Sequence, residues 1–409
     1  MNVIKRIYSI FVIFLVLVTS PFLIRYLLIN QKIRILNSIY FNFPGIITSN
    51  KNCPNYDALL NKTLDDTFSV SIMNNNGKLI SSYNDEVLRT PASNLKLFSS
   101  AYVLNKYKLN NNLKTTLLKK NKNNYYLVGQ GDPDLNYDDI VELISKVIVN
   151  KNINFNIVEI DPRLYWPNGW TNTDKLYKYG SPITSLAIES NNNNYDNVYT
   201  LSNFIENYLN NKFLNSNINL NFFDSKKLFY LKDSLEINTV YSNPILSLLT
   251  LTNSESHNFT AESLFKNASN TWNDNDYIKL KKWLEKKGLP VFNTIFADAS
   301  GLSRKNKITT KLIVLFLDKM KYSKNFKAYQ STLSIMGVRG TLGKEFVNTQ
   351  LSGKFFGKTG TLSNVFALSG YLYKHEKPII ISIIQNSNNI DKDKVFKLLN
   401  EIYYMKSCK

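Results

Sequence analysis

Apolar and polar positions alternate over residues 67–73 (TFSVSIM). That rhythm predicts a strand, because successive strand side chains point to opposite faces. The Asn/Gly turn at Asn74–Gly77 and the run Lys78–Tyr83 extend it into a hairpin. Residues 53–62 ahead of it read as a short helix. Behind Pro91 and Ala92 the spacing turns helical from Ser93 to about Tyr107. Strands over 125–128 and 153–160 then flank an amphipathic helix over 138–150. Ser181–Ile188 predicts a further strand, 204–214 a helix, and 219–231 strands joined by a short turn. Together these make one inserted α/β subdomain over 117–232. Helical spacing returns after Val240, over 243–252, 260–266, 272–288 and 309–320, with Gly288 placed as a C-terminal cap. The chain closes on strands over 355–361, 364–372 and 378–384 and a helix over 391–405.

Composition adds a compartment. The chain has 409 residues, 44% of them hydrophobic, enough for a large core and more than one domain. Lys5 and Arg6 precede an uncharged apolar run from Ile7 to Ile24, which Arg25 ends. This is the layout of an export signal within residues 1–30, either a cleaved peptide or an anchor through residues 7–29. The positive-inside rule then places the body outside the cytoplasm, in a periplasm or on the outer face of the membrane. The net charge of +19 comes from lysines scattered in short pairs such as Lys119-Lys120, with no basic block. That argues against a nucleic-acid partner and suits an anionic polymer or membrane neighbourhood. Cys53 and Cys408 are either a bridge or two free thiols. Together with His257 and His375 they offer no zinc spacing, so no metal is predicted.

The chemistry-bearing positions come as three short motifs. Within TPASNLKL (residues 90–97), Ser93 and Lys96 stand three apart, and a helix sets such residues on one face. Serine is a poor nucleophile until a base takes its proton. Burial lowers the pKa of a lysine enough for it to be that base. Any helix with a serine and a lysine one turn apart matches, so the meaning depends on the rest of the chain. A serine at a helix start does face N–H groups that favour an oxyanion. Ser256 and Asn258 form S-x-N in a break between helices, where both polar groups can face one cleft; a solvated turn would read the same. Lys358, Thr359 and Gly360 form K-T-G on a predicted strand. There the lysine offers charge to a substrate carboxylate, the threonine offers a hydroxyl, and the glycine lets a ligand lie against the backbone.

In this order, S-x-x-K, S-x-N and K-T-G resemble the signature of serine acyl-transfer enzymes of the penicillin-binding type. More closely, the chain resembles the D-alanyl-D-alanine carboxypeptidase/endopeptidase family, the class C low-molecular-mass penicillin-binding proteins. The resemblance is carried by TPASNLKLFSSAYVL, YYLVGQGDPDL, YGSPITSLAIESN, SHNFTAESL, DASGLSRKN, RGTLG and GKTGTLSNVFALSGYL, spread from Thr90 to Leu372 in the family's order. It implies an α/β (α+β) fold: a penicillin-binding/β-lactamase-like transpeptidase domain, with an antiparallel sheet flanked by helices. Residues 50–116 and 233–409 would form it around the insertion. The interval from Ser93 to Ser256 is shorter than the family's two nested insertions, and His257 stands where the family more often has Asp or Asn.

The resemblance implies a serine-type D-Ala-D-Ala carboxypeptidase acting on peptidoglycan stem peptides, with DD-endopeptidase action on cross-links as a further activity. Ser93 would attack the penultimate D-Ala carbonyl, with Lys96 as its base. Ser256 would relay a proton to the leaving nitrogen, and Asn258 would orient Lys96 and the substrate amide. Lys358, Thr359, Gly360 and Thr361 would receive the terminal carboxylate. Backbone N–H groups of Ser93 and Thr361 would form the oxyanion hole, each donor worth roughly 3–4 kcal/mol. Arg304 would meet a stem-peptide carboxylate or brace its own loop. β-Lactam antibiotics would be covalent inhibitors, and no cofactor is implied. A catalytically silent peptidoglycan-binding protein of the same fold is the alternative, disfavoured by the intact motifs. An esterase or β-lactamase is disfavoured by the family-specific stretches. A histidine-based triad is disfavoured by the positions of His257 and His375.

Overall fold

The computed structural model describes residues 53–148, 152–192, 197–214 and 217–406. The expected export segment, its anchor over residues 7–29 and Cys408 lie outside them. Contacts divide the chain into Met1–Asn50 and Lys51–Lys409, and every described element belongs to the second unit. Among the described residues no helix is long and apolar enough to cross a membrane.

The unit opens with α1 (Pro54–Thr63) and the predicted hairpin, β1 (Phe68–Met73) and β2 (Leu79–Tyr83). A 3-10 turn over Ala92–Leu95 leads into α2 (Lys96–Lys106). Next come β3 (Asn112–Asn121), β4 (Asn124–Gly129), α3 (Tyr137–Ile144), β5 (Asn152–Glu159), α4 (Asn197–Lys212), β6 (Asn217–Asp224) and β7 (Leu235–Pro244). The helices α5 (Ile245–Asn253), α6 (Asn258–Ser269), α7 (Ile278–Lys286), α8 (Thr310–Lys321) and α9 (Phe326–Ser331) follow. The chain ends with β8 (Ser334–Ile335), β9 (Phe355–Leu362), β10 (Val365–Tyr373), β11 (Pro378–Asn386) and α10 (Lys392–Tyr404).

The first sheet runs β2-β1-β11-β10-β9-β8, antiparallel throughout. Helices cover both of its faces. Ile381 and Ile383 of β11 join a core with Tyr56 and Leu60 of α1 and Leu398 and Ile402 of α10. Ile380 and Ile384 face the other way, into a core with Leu97 and Phe98 of α2 and Ile313 and Phe316 of α8. The central strand β1 is therefore buried along its whole length. The polar half of its alternation points inward and finds partners, as where the Ser71 hydroxyl donates to Thr310 Oγ1 at 2.9 Å.

The second sheet runs β6-β5-β4-β3-β7, with β4-β5 and β5-β6 parallel and the other pairs antiparallel. Its core gathers Leu127, Ile140, Leu143, Phe155, Ile157 and Leu209. It spans Asn112 to Pro244, wider at both ends than 117–232. β3 is rich in Lys, Asn and Thr, and the edge strand β7 is largely exposed, so their apolar alternation is faint.

Two predicted strands differ. Residues 181–188 pair with no strand: the buried Glu159 carboxylate accepts from the backbone N–H groups of Ser185 and Leu186 at 3.0 and 3.2 Å, in place of a ladder. The segment after Asp224 is a 3-10 helix over Ser225–Leu231, because the Asp224 side chain caps it by accepting from Lys226 N–H at 2.9 Å. The helix predicted from Trp272 begins only at Ile278, since Asp274 and Asp276 hold the preceding residues in turns.

Candidate active site

Ser93 lies in the 3-10 turn that opens α2, not in the α-helix itself. The turn is held tightly from both sides. Ala92 has a φ of +47°, in the left-handed region that a residue with a Cβ avoids. A Cβ on Gly301 would stand 1.9 Å from the Ala92 carbonyl oxygen, so only glycine lets the 298–301 loop reach the turn. On the strand side, Asn94 Nδ2 donates to the Lys358 carbonyl of β9 at 3.1 Å. β8 pairs with β9 only at residues 356–357, which leaves the rest of that edge to the Ser93 turn.

Lys96 is completely buried. Its Nζ donates to Ser93 Oγ at 2.9 Å, to Asn258 Oδ1 at 2.6 Å and to the Ser300 carbonyl at 2.7 Å. Two of these partners are pure acceptors. A neutral amine therefore gives both its hydrogens to them and aims its lone pair at the serine hydroxyl. Burial pushes the Lys96 pKa down to about 7, while Asp298 and Glu262 pull it back up. A base with that pKa can take a proton at neutral pH.

Ser256 sits in the turn before α6 with a φ of +65° and faces the same cleft as Ser93. His257 is the N-cap of α6, its Nδ1 accepting from Thr260 N–H at 3.4 Å. Burial holds its pKa down to about 4, so it is a neutral cap. Asn258 spans the site, accepting from Lys96 and donating to the Tyr179 carbonyl at 2.9 Å.

The K-T-G strand divides its labour. Thr359 and Thr361 line the cleft, whereas Lys358 is fully buried and donates to the Thr359 carbonyl at 3.0 Å. Burial, followed by the nearby Lys96 cation, holds the Lys358 pKa well below the usual lysine value. Gly360 packs under the Ser93 turn, where a Cβ would meet the Pro91 carbonyl at 2.8 Å. Arg304 lines the cleft too, but its guanidinium pairs with the buried Asp174 and donates to the Leu302 carbonyl at 3.0 Å. These contacts brace its loop and leave the side chain part of the cleft wall.

The cleft has a volume of about 830 Å³. Sequence reasoning missed several of its walls. Thr341 accepts from the Thr359 hydroxyl at 2.7 Å. Thr171, Asp174, Tyr177 and Tyr179 come from the inserted segment. Behind the amine stand Glu262 and Asp298, both completely buried. The 260s and 298–306 stretches signalled their importance only through the family resemblance. A second depression of about 740 Å³ at the far end of α2 holds Lys106, Lys108, Lys287 and Lys319. Lysines there lie near the C-terminal ends of α2, α7 and α8, which favour cations. Among the described residues no cluster of His, Cys, Asp and Glu could hold a metal ion.

The sequence profile of the D-Ala-D-Ala carboxypeptidase 3 (S13) family matches residues 58–204 and 230–402. The chain belongs to this family. Among curated relatives, a D-alanyl-D-alanine carboxypeptidase of an Actinomadura species is 30% identical over 145 residues, 33% of this chain and 27% of that protein. The matched segments span between 22% and 38% of the lengths of the curated relatives. Among solved structures, penicillin binding protein 4 (dacB) from Haemophilus influenzae superposes with a TM-score of 0.69 at 20% identity, covering 85% of this chain and 99% of that one. The same protein complexed with a novel beta-lactam gives 0.66 at 19%, with the same coverage. A predatory peptidoglycan endopeptidase from Bdellovibrio bacteriovorus gives 0.53 at 14%, covering 82% and 90%. These likenesses establish the fold: a penicillin-binding-type α+β domain whose antiparallel sheet is flanked by helices.

Proposed function

We propose that the chain is a serine-type D-Ala-D-Ala carboxypeptidase acting on peptidoglycan stem peptides, with endopeptidase action on cross-links by the same acyl-enzyme chemistry. The observation that carries this is the buried Lys96 amine, 2.9 Å from Ser93 Oγ and with its pKa pushed down to about 7. Lys96 takes the Ser93 proton as Oγ attacks the penultimate D-Ala carbonyl. The oxyanion is received by the backbone N–H groups of Ser93 and Thr361. The C–N bond breaks, Ser256 passes a proton to the departing D-Ala nitrogen, and water hydrolyses the ester. Thr359 and Thr361 bind the terminal carboxylate, and Lys358 holds the strand beneath them through its bond to the Thr359 carbonyl. β-Lactams, one of which is bound in the Haemophilus structure, would acylate the same serine.

The charge layout of residues 5–25 supports export to the cell wall, with the apolar run as signal or anchor. The test is direct. The full chain is incubated with a stem pentapeptide ending in D-Ala-D-Ala, and separately with fluorescent penicillin. D-Ala release and a Ser93 adduct identified by mass spectrometry are expected, and both should vanish in Ser93→Ala. D-Ala release that survives Ser93→Ala would overturn the mechanism, and wild type inert to both reagents would overturn the function.

A further inference from the structure

Glu262 stands one turn beyond Asn258 on α6, so the two share a helix face. Asn258 reaches the Lys96 amine directly, and Glu262 reaches it through the 298–301 loop. The Glu262 carboxylate is completely buried. Its Oε1 accepts from the backbone N–H groups of Ala299 and Ser300 at 2.9 and 2.8 Å, and its Oε2 accepts from the Tyr277 hydroxyl at 2.9 Å. The carbonyl of that same Ser300 accepts from Lys96 Nζ at 2.7 Å. The loop is clamped elsewhere as well. The Ala299 carbonyl accepts from the Ser99 hydroxyl of α2 at 2.7 Å, and Asp298 takes the N–H groups of Gly301 and Ser303 at 2.8 and 2.6 Å.

We propose that Glu262 is a positioning residue for Ser93 acylation: it fixes the Ser300 carbonyl, which together with Asn258 orients the Lys96 nitrogen onto the Ser93 hydroxyl. The inference rests on the reading of Ser93 as nucleophile. A buried carboxylate is a costly way to brace a loop that a neutral side chain could brace. Here it does two things a neutral group cannot do together. It accepts several hydrogen bonds, and, with its own pKa raised by burial and by Asp298 to about 7, it places an anion near an amine that must exchange a proton as pH rises through neutrality. The titratable groups that act on or are acted on by that amine are Asp298, Glu262 and Lys358, with neutral His257 nearby. Glu262 itself faces Asp298, Lys266 and Tyr277.

Glu262→Gln keeps an oxygen for the two amides and removes the anion, whereas Glu262→Ala removes both. Three readouts on the full chain test the proposal: the fluorescent-penicillin acylation rate as a function of pH, thermal melting, and the NMR titration of lysine labelled with carbon-13 at Cε. Lys96→Arg assigns the Lys96 resonance. Folded Glu262→Ala should acylate about 100-fold more slowly, the size expected for a misplaced catalytic group, with little change in the penicillin concentration for half-maximal rate. Glu262→Gln should recover most of that rate. In it, the acid limb of the rate profile and the Lys96 titration midpoint should both move to lower pH, because the amine has lost a counter-charge.

A folded Glu262→Ala that acylates like wild type, or a Glu262→Gln whose Lys96 midpoint stays in place, overturns the proposal. If Glu262→Ala does not fold, Glu262→Gln decides alone. If wild type is not acylated at all, the functional reading falls, while the Lys96 midpoint in Glu262→Gln still decides whether Glu262 sets the state of the amine.

Discussion

Replacing Lys96 by Met removes the buried amine and keeps its length, and the stability cost of that amine should then show itself through pH. The Lys96 pKa falls from 10.5 to about 7 because the side chain is desolvated. A group that holds its proton more weakly when folded weakens the fold while the unfolded chain is still protonated. The penalty is therefore full below pH 7, shrinks as pH rises from about 7 towards 10.5, and is gone above that. At about 1.4 kcal/mol per unit, the whole drop comes to about 5 kcal/mol. Methionine also orphans Asn258 Oδ1 and the Ser300 carbonyl, at about 1–3 kcal/mol each, so near pH 6 the two effects largely offset. The decisive quantity is the slope. Losing the cation also relieves Lys358, which pushes the comparison the same way. Urea unfolding at pH 6, 7, 8 and 9 measures it. Wild-type stability minus variant stability should rise by about 2 kcal/mol between pH 7 and 9. Curves that stay parallel across that window would refute the reading of Lys96 as a desolvated amine.

The acylation rate with fluorescent penicillin should climb as pH rises through about 7, because the neutral form of Lys96 is the active one; a flat profile from pH 5 to 9 contradicts it. Gly301→Ala should lower the melting temperature and cut acylation at least about tenfold, since its Cβ would fall 1.9 Å from the Ala92 carbonyl at a φ of +86°. Unchanged acylation would show that this loop does not set the nucleophile's turn. His257→Asn keeps the helix cap and should leave the acylation midpoint unmoved, because His257 is already neutral above about pH 4. A shifted midpoint in that variant would mean that the imidazole titrates with the site.

The first sheet was legible because its strands carry either strict alternation or unbroken apolar runs, as in 378–384, and the K-T-G motif lies on one of them. The insertion was harder to bound. β3 presents Lys, Asn and Thr at most positions and hides its inward Leu113 and Leu117 among them, and the edge strand β7 is largely exposed. The segment 181–188 misled because it is apolar and extended, yet its backbone is satisfied by a single buried carboxylate at Glu159. Such a bond joins residues 26 and 27 apart in sequence, so no local pattern records it. The same limit applies at the site. Ser93, Lys96, Ser256 and Asn258 come as short motifs. Glu262 and Asp298 act through contacts 37 to 38 residues away, or through loop amides that any sequence carries. Lys358 was placed on the right strand, but strand position alone does not say that its amine folds back under Thr359.

These long-range contacts also explain why the insertion belongs to the site. One edge of the cleft is built by its aromatic loop, and several bonds join that loop to the groups around Lys96. Trp170 Nε1 donates to Asp298 at 3.0 Å, Asp174 pairs with Arg304, and the Tyr179 carbonyl accepts from Asn258 at 2.9 Å. Asp298 holds the loop whose Ser300 carbonyl orients Lys96, and Asn258 touches Lys96 itself. The insertion is therefore two hydrogen bonds from Lys96 by one route, through Asn258, and a short loop away by another. A substrate chain resting on Tyr177 or Tyr179 would press on groups that hold the amine. Side chains placed far from Ser93 in sequence can in this way influence how readily it is acylated, which short motifs alone could not arrange.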